Sequence, residues 1–173
     1  MHDNEFDQVP QILFDGISSL DKVGAPGVLI PLTHDTRAVL CGKDSHNVII
    51  VATRFGLGRC LVFAHNGYPE IFFDTEENNE QFVKNCRKWL AQGYEAEFLS
   101  IDDAETMEDI DTGGKILVWN GHKTKSDAFM NDLVIGLSLF RLNLHTFLFL
   151  VSFFTKWWRT DLWCNCMGLV GRK

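Results

Sequence analysis

The sequence predicts an α/β domain, on three observations. Residues 37–65 read as three β segments joined by short glycine-bearing turns, Asp74 and Gly93 bracket an amphipathic helix, and Lys115-Ile116-Leu117-Val118-Trp119 is a short apolar run. A parallel strand covered on both faces has that last pattern. A chain of 173 residues and 19.7 kDa has room for one core or one core and an appendage. A hydrophobic fraction of 46%, a charged fraction of 23% and four prolines exclude collagen-like and broadly disordered classes.

The elements follow in order. Apolar residues at Ile12, Leu13, Ile17 and Leu20 have helical spacing, which predicts a short helix over Gln11 to Leu20, ending near Asp21. After a Gly24-Ala25-Pro26-Gly27 turn, residues 28–32 read as a strand at a sheet edge or strand end, because Pro31 has no N–H for a ladder. Arg37 to Cys41 and Asn47 to Thr53 flank Gly42-Lys43-Asp44-Ser45 as a hairpin. Phe55-Gly56-Leu57-Gly58-Arg59 turns the chain into Cys60 to His65, which completes an antiparallel meander. Asp74 and Glu77 have capping-box spacing for the next helix, whose core face is Phe82, Val83, Cys86, Trp89 and Leu90. Tyr94 to Ile101 alternates as a strand, and Asp102 to Asp111 is an acidic surface stretch. Ser126 or Asp127 opens a last helix with Phe129, Met130, Leu133 and Val134 on its apolar face, and another strand is expected to follow.

The net charge of −7 conceals a split. Residues 1–134 carry 11 Lys and Arg against 22 Asp and Glu, whereas residues 135–173 carry 5 against the single Asp161. A body this acidic argues against a nucleic-acid partner, which would need clustered cations facing phosphates. The division predicts two regions, an α/β domain over 1–134 and an apolar basic tail over 135–173. Residues 135–154 are about the length of a membrane span, and Trp157-Trp158 beside Lys156 and Arg159 resembles an interfacial belt. Against insertion, Arg141 costs about 2.5–3.5 kcal/mol at mid-membrane, and the basic residues lie beyond the span. The acidic N-terminus lacks the features of a secretory signal, so the body is expected in the cytosol, with membrane association through 135–154 as the other expectation.

Few residues have the spacing of a chemical site. There is no H-E-x-x-H, no P-loop and no G-x-S-x-G elbow. Gly56-x-Gly58 lacks a third glycine and precedes a strand, so it reads as a turn rather than a dinucleotide cradle. Cys60, His65 and Glu70 do not form a triad on one strand, since Cys60 and His65 project to opposite faces. Cys41 with His34 or His122 is the remaining thiol combination, against the commoner reading of an inert cysteine. Asp102, Asp103, Glu105, Glu108, Asp109 and Asp111 do not match a calcium loop, and Cys164 and Cys166 supply only half a zinc site. No catalytic, cofactor-binding or metal-ligating residue is therefore assigned, and no cofactor is expected.

Phe14-Asp15-Gly16-Ile17-Ser18-Ser19-Leu20-Asp21, Val28-Leu29-Ile30, Asn47 through His65 and the Trp89-bearing helix together resemble the N-terminal region of the TRP-channel-associated factor family. The resemblance covers about residues 11–134, and its most specific part is the strand, aromatic-Gly-x-Gly-Arg, strand and His segment, with Gly56, Gly58, Arg59 and His65. It implies a three-layer, glutamine-amidotransferase-like α/β domain without that fold's catalytic cysteine, incomplete at its C-terminal end. It also implies a non-enzymatic partner of a TRP cation channel that promotes the channel's surface delivery. Longer members continue into an enhancin- or mucin-type peptidase-like region, and the resemblance stops near Val134. Residues 135–173 are accordingly expected to derive from a retained intron or a truncated gene model. The alternatives are a thiol hydrolase or amidotransferase-like enzyme using Cys41 or Cys60, and a tail-anchored membrane protein. The acidic surface of the body is expected to suit a basic partner segment.

Overall fold

Alternation along the middle of the chain becomes an antiparallel meander in the computed structural model, which describes residues 6–20, 24–55, 58–74, 77–110, 113–121 and 123–138. Strands β1 (Thr36–Cys41), β2 (Val48–Phe55) and β3 (Gly58–Phe63) pair in the order β1-β2-β3. Ala38 lies opposite Val51 and Leu40 opposite Ile50, so Val39 is an extra residue that bulges β1. Gly58 lies opposite Phe55, leaving Gly56 and Leu57 between the paired strands. In the β1–β2 turn the left-handed residue is His46, at φ 56, and Gly42 donates its N–H to Asn47 O at 2.8 Å.

Two expected elements come out differently. The helix expected over 11–20 starts earlier and is shorter: α1 spans Val9–Leu13, with Pro10 in its first turn, where a missing N–H costs nothing. It gives way to a turn in which Gly16 takes φ +75, a conformation that ends a helix. Asn85 Nδ2 then donates to the carbonyls of Leu13 and Asp15. The strand expected over 28–32 reduces to one bridge between Leu29 and Val48. Gly27 and Leu29 donate inward to Ala64 O and Val48 O, while Val28, Ile30 and Leu32 remain 55%, 66% and 55% exposed. The segment meets the start of β2 at Leu29, but Pro31 has no N–H with which to extend the ladder beyond that bridge.

After a short turn of helix, α2 (Gly67–Glu70), the amphipathic helix α3 runs over Glu77–Leu90. Phe82, Cys86, Trp89 and Leu90 are buried and Val83 is half-buried, as the 3.6-residue period requires. Arg87 and Lys88 occupy the last turn, where cations meet the negative end of the helix dipole, and Gly93 at φ +88 takes the chain away. The cap expected at Asp74 involves residues 75 and 76, which lie outside the described residues. Strand β4 (Glu97–Ser100) is shorter than the expected 94–101 and leaves Tyr94 exposed. It pairs in parallel with β5 (Lys115–Val118), in the register Glu97 with Lys115 through Ser100 with Val118.

Successive strand residues enter two different cores, which fixes the layering. Ile50, Ala52, Leu61, Phe63, Ile116 and Val118 pack with Val9, Leu13, Phe82, Cys86 and Trp89 from α1 and α3. Val51, Val62, Leu117 and Trp119 pack instead with Ile101, Ile110, Phe129, Met130 and Leu133. The last three belong to α4 (Asp127–Ser138), which Ser126 caps by accepting the Phe129 N–H at 3.1 Å. β2, β3 and β5 thus have buried residues on each face, which explains the unbroken apolar run of β5. The fold is a mixed α/β arrangement with a three-stranded antiparallel sheet and a parallel pair. Helix α4 continues through Ser138, and the expected next strand and the tail beyond lie outside the described residues.

Candidate functional site

The thiols and imidazoles singled out in the sequence are dispersed. Cys41 is exposed at the end of β1, whereas His34 precedes the start of that strand and is 92% exposed beside Asp35 at 3.2 Å. His122 lies outside the described residues. Cys60, half-buried, packs against the second core, whereas His65 Nδ1 accepts the Gly67 N–H at 3.0 Å. The His65 ring also lies against Gly24, where an added Cβ would come within 2.3 Å of Nε2, so a glycine at φ +60 is required there. Glu70 is exposed at the end of α2. Cys86 is buried, and burial pushes its thiol well above the ordinary value. We predict that a maleimide applied to the native chain at neutral pH labels Cys41 within minutes and Cys86 only on unfolding. Mass mapping that finds Cys86 modified at the same rate as Cys41 would contradict this burial.

Asp102, Asp103 and Asp109 of the acidic stretch have local partners, as does Glu97 of β4. Asp103 pairs with Lys123, Asp109 Oδ2 accepts from the Thr106 N–H and hydroxyl at 2.8 Å each, and Lys115 Nζ lies 2.6 Å from Glu97. Lys125, only 5% exposed, donates to Asp102 O at 2.9 Å and to Ala104 O, with its Nζ 4.9 Å from the Phe129 ring centre. Burial pulls the Lys125 ammonium below its ordinary value, opposed by the Asp102 and Asp103 charges. Beneath it, at the C-terminal ends of β4 and β5, Asp102 Oδ2 meets Ser100 Oγ at 3.2 Å and the Asn120 N–H at 3.4 Å. The buried Oδ1 has no hydrogen-bond partner. Among the described residues no group of three or more His, Cys, Asp or Glu side chains is placed to hold a metal ion.

These contacts also set a pH dependence. Hydrogen bonds and ion pairs hold the carboxyls of Glu80, Glu97 and Asp103, through Lys84, Lys115 and Lys123, and that of Asp109, through Thr106, below their ordinary values of 4.5 and 3.8. A carboxyl depressed in the folded state adds stability that is complete above its unfolded pKa and is lost as pH falls through the folded value. The urea midpoint should therefore hold from pH 7 to about 5 and decline modestly below about 4.5. A midpoint rising on acidification would contradict the assignment.

The other end of the meander gathers charge of the opposite sign. Arg54 and Arg59 face each other across β2 and β3, and Arg37 lies opposite Ala52, one pleat along on the same face. Aromatic rings seat all three guanidinium groups. Arg37 and Arg54 lie 5.2 and 4.4 Å from the centre of Phe6, and Arg59 lies 5.2 Å from that of Trp89. Arg59 also donates to Trp89 O at 2.7 Å, and Arg37 pairs with Asp7 at 2.7 Å. Among the described residues Arg54 makes no ion pair. Trp89 Nε1 is buried with no hydrogen-bond partner. A groove of about 520 Å³ between α1 and α3 is lined by Gln8, Gln11, Ile12, Asp15, Asn85 and Lys88 and includes none of these arginines or rings. Arg54, Arg59 and Trp89 lie in the segments that carry the family resemblance, but the sequence alone assigns none of them to a site. The register of β2 and β3 sets Arg54 opposite Arg59, whereas Phe6 and Arg37 join them only through tertiary folding.

No helix among the described residues is long and apolar enough to cross a membrane. No family model matches the chain, and no solved structure matches it. Over 87 residues, 49% of its length, the chain is 36% identical to a protein from Xenopus laevis described as a TRPM8 channel-associated factor homolog, and that stretch is 9% of the relative's length.

Proposed function

We propose that the chain is a non-enzymatic interaction domain of the channel-associated factor type, which attaches to a TRP cation channel on its cytoplasmic side and promotes the channel's delivery to the cell surface. The observation that carries this reading is the 36% identity over 87 residues with a protein named for association with that channel. The two-sided burial of β5, between the core of α1 and α3 on one face and that of α4 on the other, supports the reading of a glutamine-amidotransferase-like architecture. Residues 1–134 then form the interaction domain, and 135–173 an appendage of different composition. Its test is surface biotinylation of the channel in cells with and without the co-expressed chain, together with co-precipitation of the two. Co-precipitation with a raised surface fraction supports the reading; an unchanged surface fraction with no co-precipitation overturns it.

A further inference from the structure

The geometry points to a carboxylate-binding surface: the face formed by Arg37, Arg54 and Arg59 over Phe6 and Trp89 receives an acidic segment of a protein partner. Like charges directly opposite on neighbouring strands are destabilising, and Arg54 and Arg59 are such a pair. Asp7 and the His34 and Thr36 carbonyls already take up the Arg37 fork, and Arg59 donates to the Trp89 carbonyl, so the receiving group is Arg54, which has only the Phe6 ring beneath it. The planar forks donate in pairs to carboxylates, and the aromatic floors hold them in place, so little side-chain entropy is lost on binding. A carboxylate only accepts hydrogen bonds, and every arginine group on this face only donates.

Charge selects the kind of partner. With 22 acidic against 11 basic residues in the first 134, the body as a whole is repelled by a broad anionic surface such as a lipid headgroup layer. A peptide touches only the arginine face. In the acidic stretch, by contrast, Asp103 pairs with Lys123 and Asp109 accepts from Thr106, so two of its carboxylates already have local partners. The inference rests on the reading of the chain as a protein-interaction domain, but not on which protein it binds.

The test is a fluorescence-anisotropy titration of the full chain into a fluorescein-labelled hexaglutamate peptide at low and near-physiological salt, with co-sedimentation on phosphatidylserine vesicles alongside. The native chain should bind the peptide, more weakly as salt rises. Arg54→Glu should weaken binding by about tenfold or more, and Arg54→Gln by less. Lys84→Gln, which breaks a pair with Glu80 at 2.6 Å on exposed α3 side chains, should leave binding unchanged. Circular dichroism identifies the folded variants, and Arg54→Gln carries the comparison if Arg54→Glu does not fold. Equal binding by the native chain and a folded Arg54 variant, no peptide binding at low salt, or retention on vesicles without peptide binding overturns the proposal. Because no channel is present, failure here leaves the channel reading standing, and failure of the channel reading leaves this result intact.

Discussion

Ile116→Asp and Leu117→Asp should each leave the chain unable to fold, although the two side chains point in opposite directions. Ile116 is fully buried in the core made with α1 and α3, and Leu117, 1% exposed, in the core made with α4. A carboxylate in either place is stripped of water with no cation to meet it, which costs more than the ~5 kcal/mol that marks the extreme of single substitutions. That loss is comparable to the whole stability of a domain this size. The comparison is Ile30→Asp, the same change at a side chain that is 66% exposed, where about 0.5 kcal/mol or less is expected. Urea denaturation followed by far-UV circular dichroism reads all three. If either β5 variant folded with near-native stability, that face of the strand would be open to solvent and the layering described above would be wrong.

Trp89→Ala should cost about 3–5 kcal/mol, the range for removing a large aromatic from a core. Trp89 is 2% exposed, closes the first core beside Leu90, and lies under the Arg59 guanidinium. The substitution therefore removes core volume and the floor of the arginine face together. Trp89→Phe should cost much less, about 1–2 kcal/mol, because it keeps most of the packing and also removes an indole N–H that is buried without an acceptor. A Trp89→Ala variant as stable as its parent would mean that the last turn of α3 does not pack as described. Peptide binding that survives in a folded Trp89→Phe variant would show that the ring face, rather than the indole N–H, supports Arg59.

Elements governed by periodicity were the legible ones. The meander and α3 follow from repeats of two and 3.6 residues that tertiary packing reinforces, β5 follows from its unbroken apolar run, and the face of α3 bearing Phe82, Cys86 and Trp89 is the one that is buried. Residues 28–32 fall short of a strand because Pro31 cannot donate to a ladder, so the contact with β2 stops at the single bridge of Leu29 with Val48. The first helix was misplaced because Pro10 favours an early start and Gly16 adopts a left-handed turn, two local features that outweigh the apolar spacing at Ile17 and Leu20.

The site was less legible than the fold. Arg54 and Arg59 are joined by strand register, but their shared surface with Arg37 depends on Phe6, which lies far away in sequence. Lys125 likewise reads as an ordinary surface lysine until the 102–104 carbonyls close over it. The acidic composition pointed to a basic partner, and only the pairing pattern shows which charges are already engaged. Similarity to a channel-associated factor motivates the proposed class of partner, and the arginine face motivates the proposed chemistry of contact.

The most direct measurement is equilibrium binding of the purified chain to the purified TRPM8-type channel in lipid nanodiscs, with empty nanodiscs as reference. Saturable binding to the channel discs alone is the predicted result. Equal signals from channel-containing and empty discs, with the chain shown to be folded by circular dichroism, would contradict it.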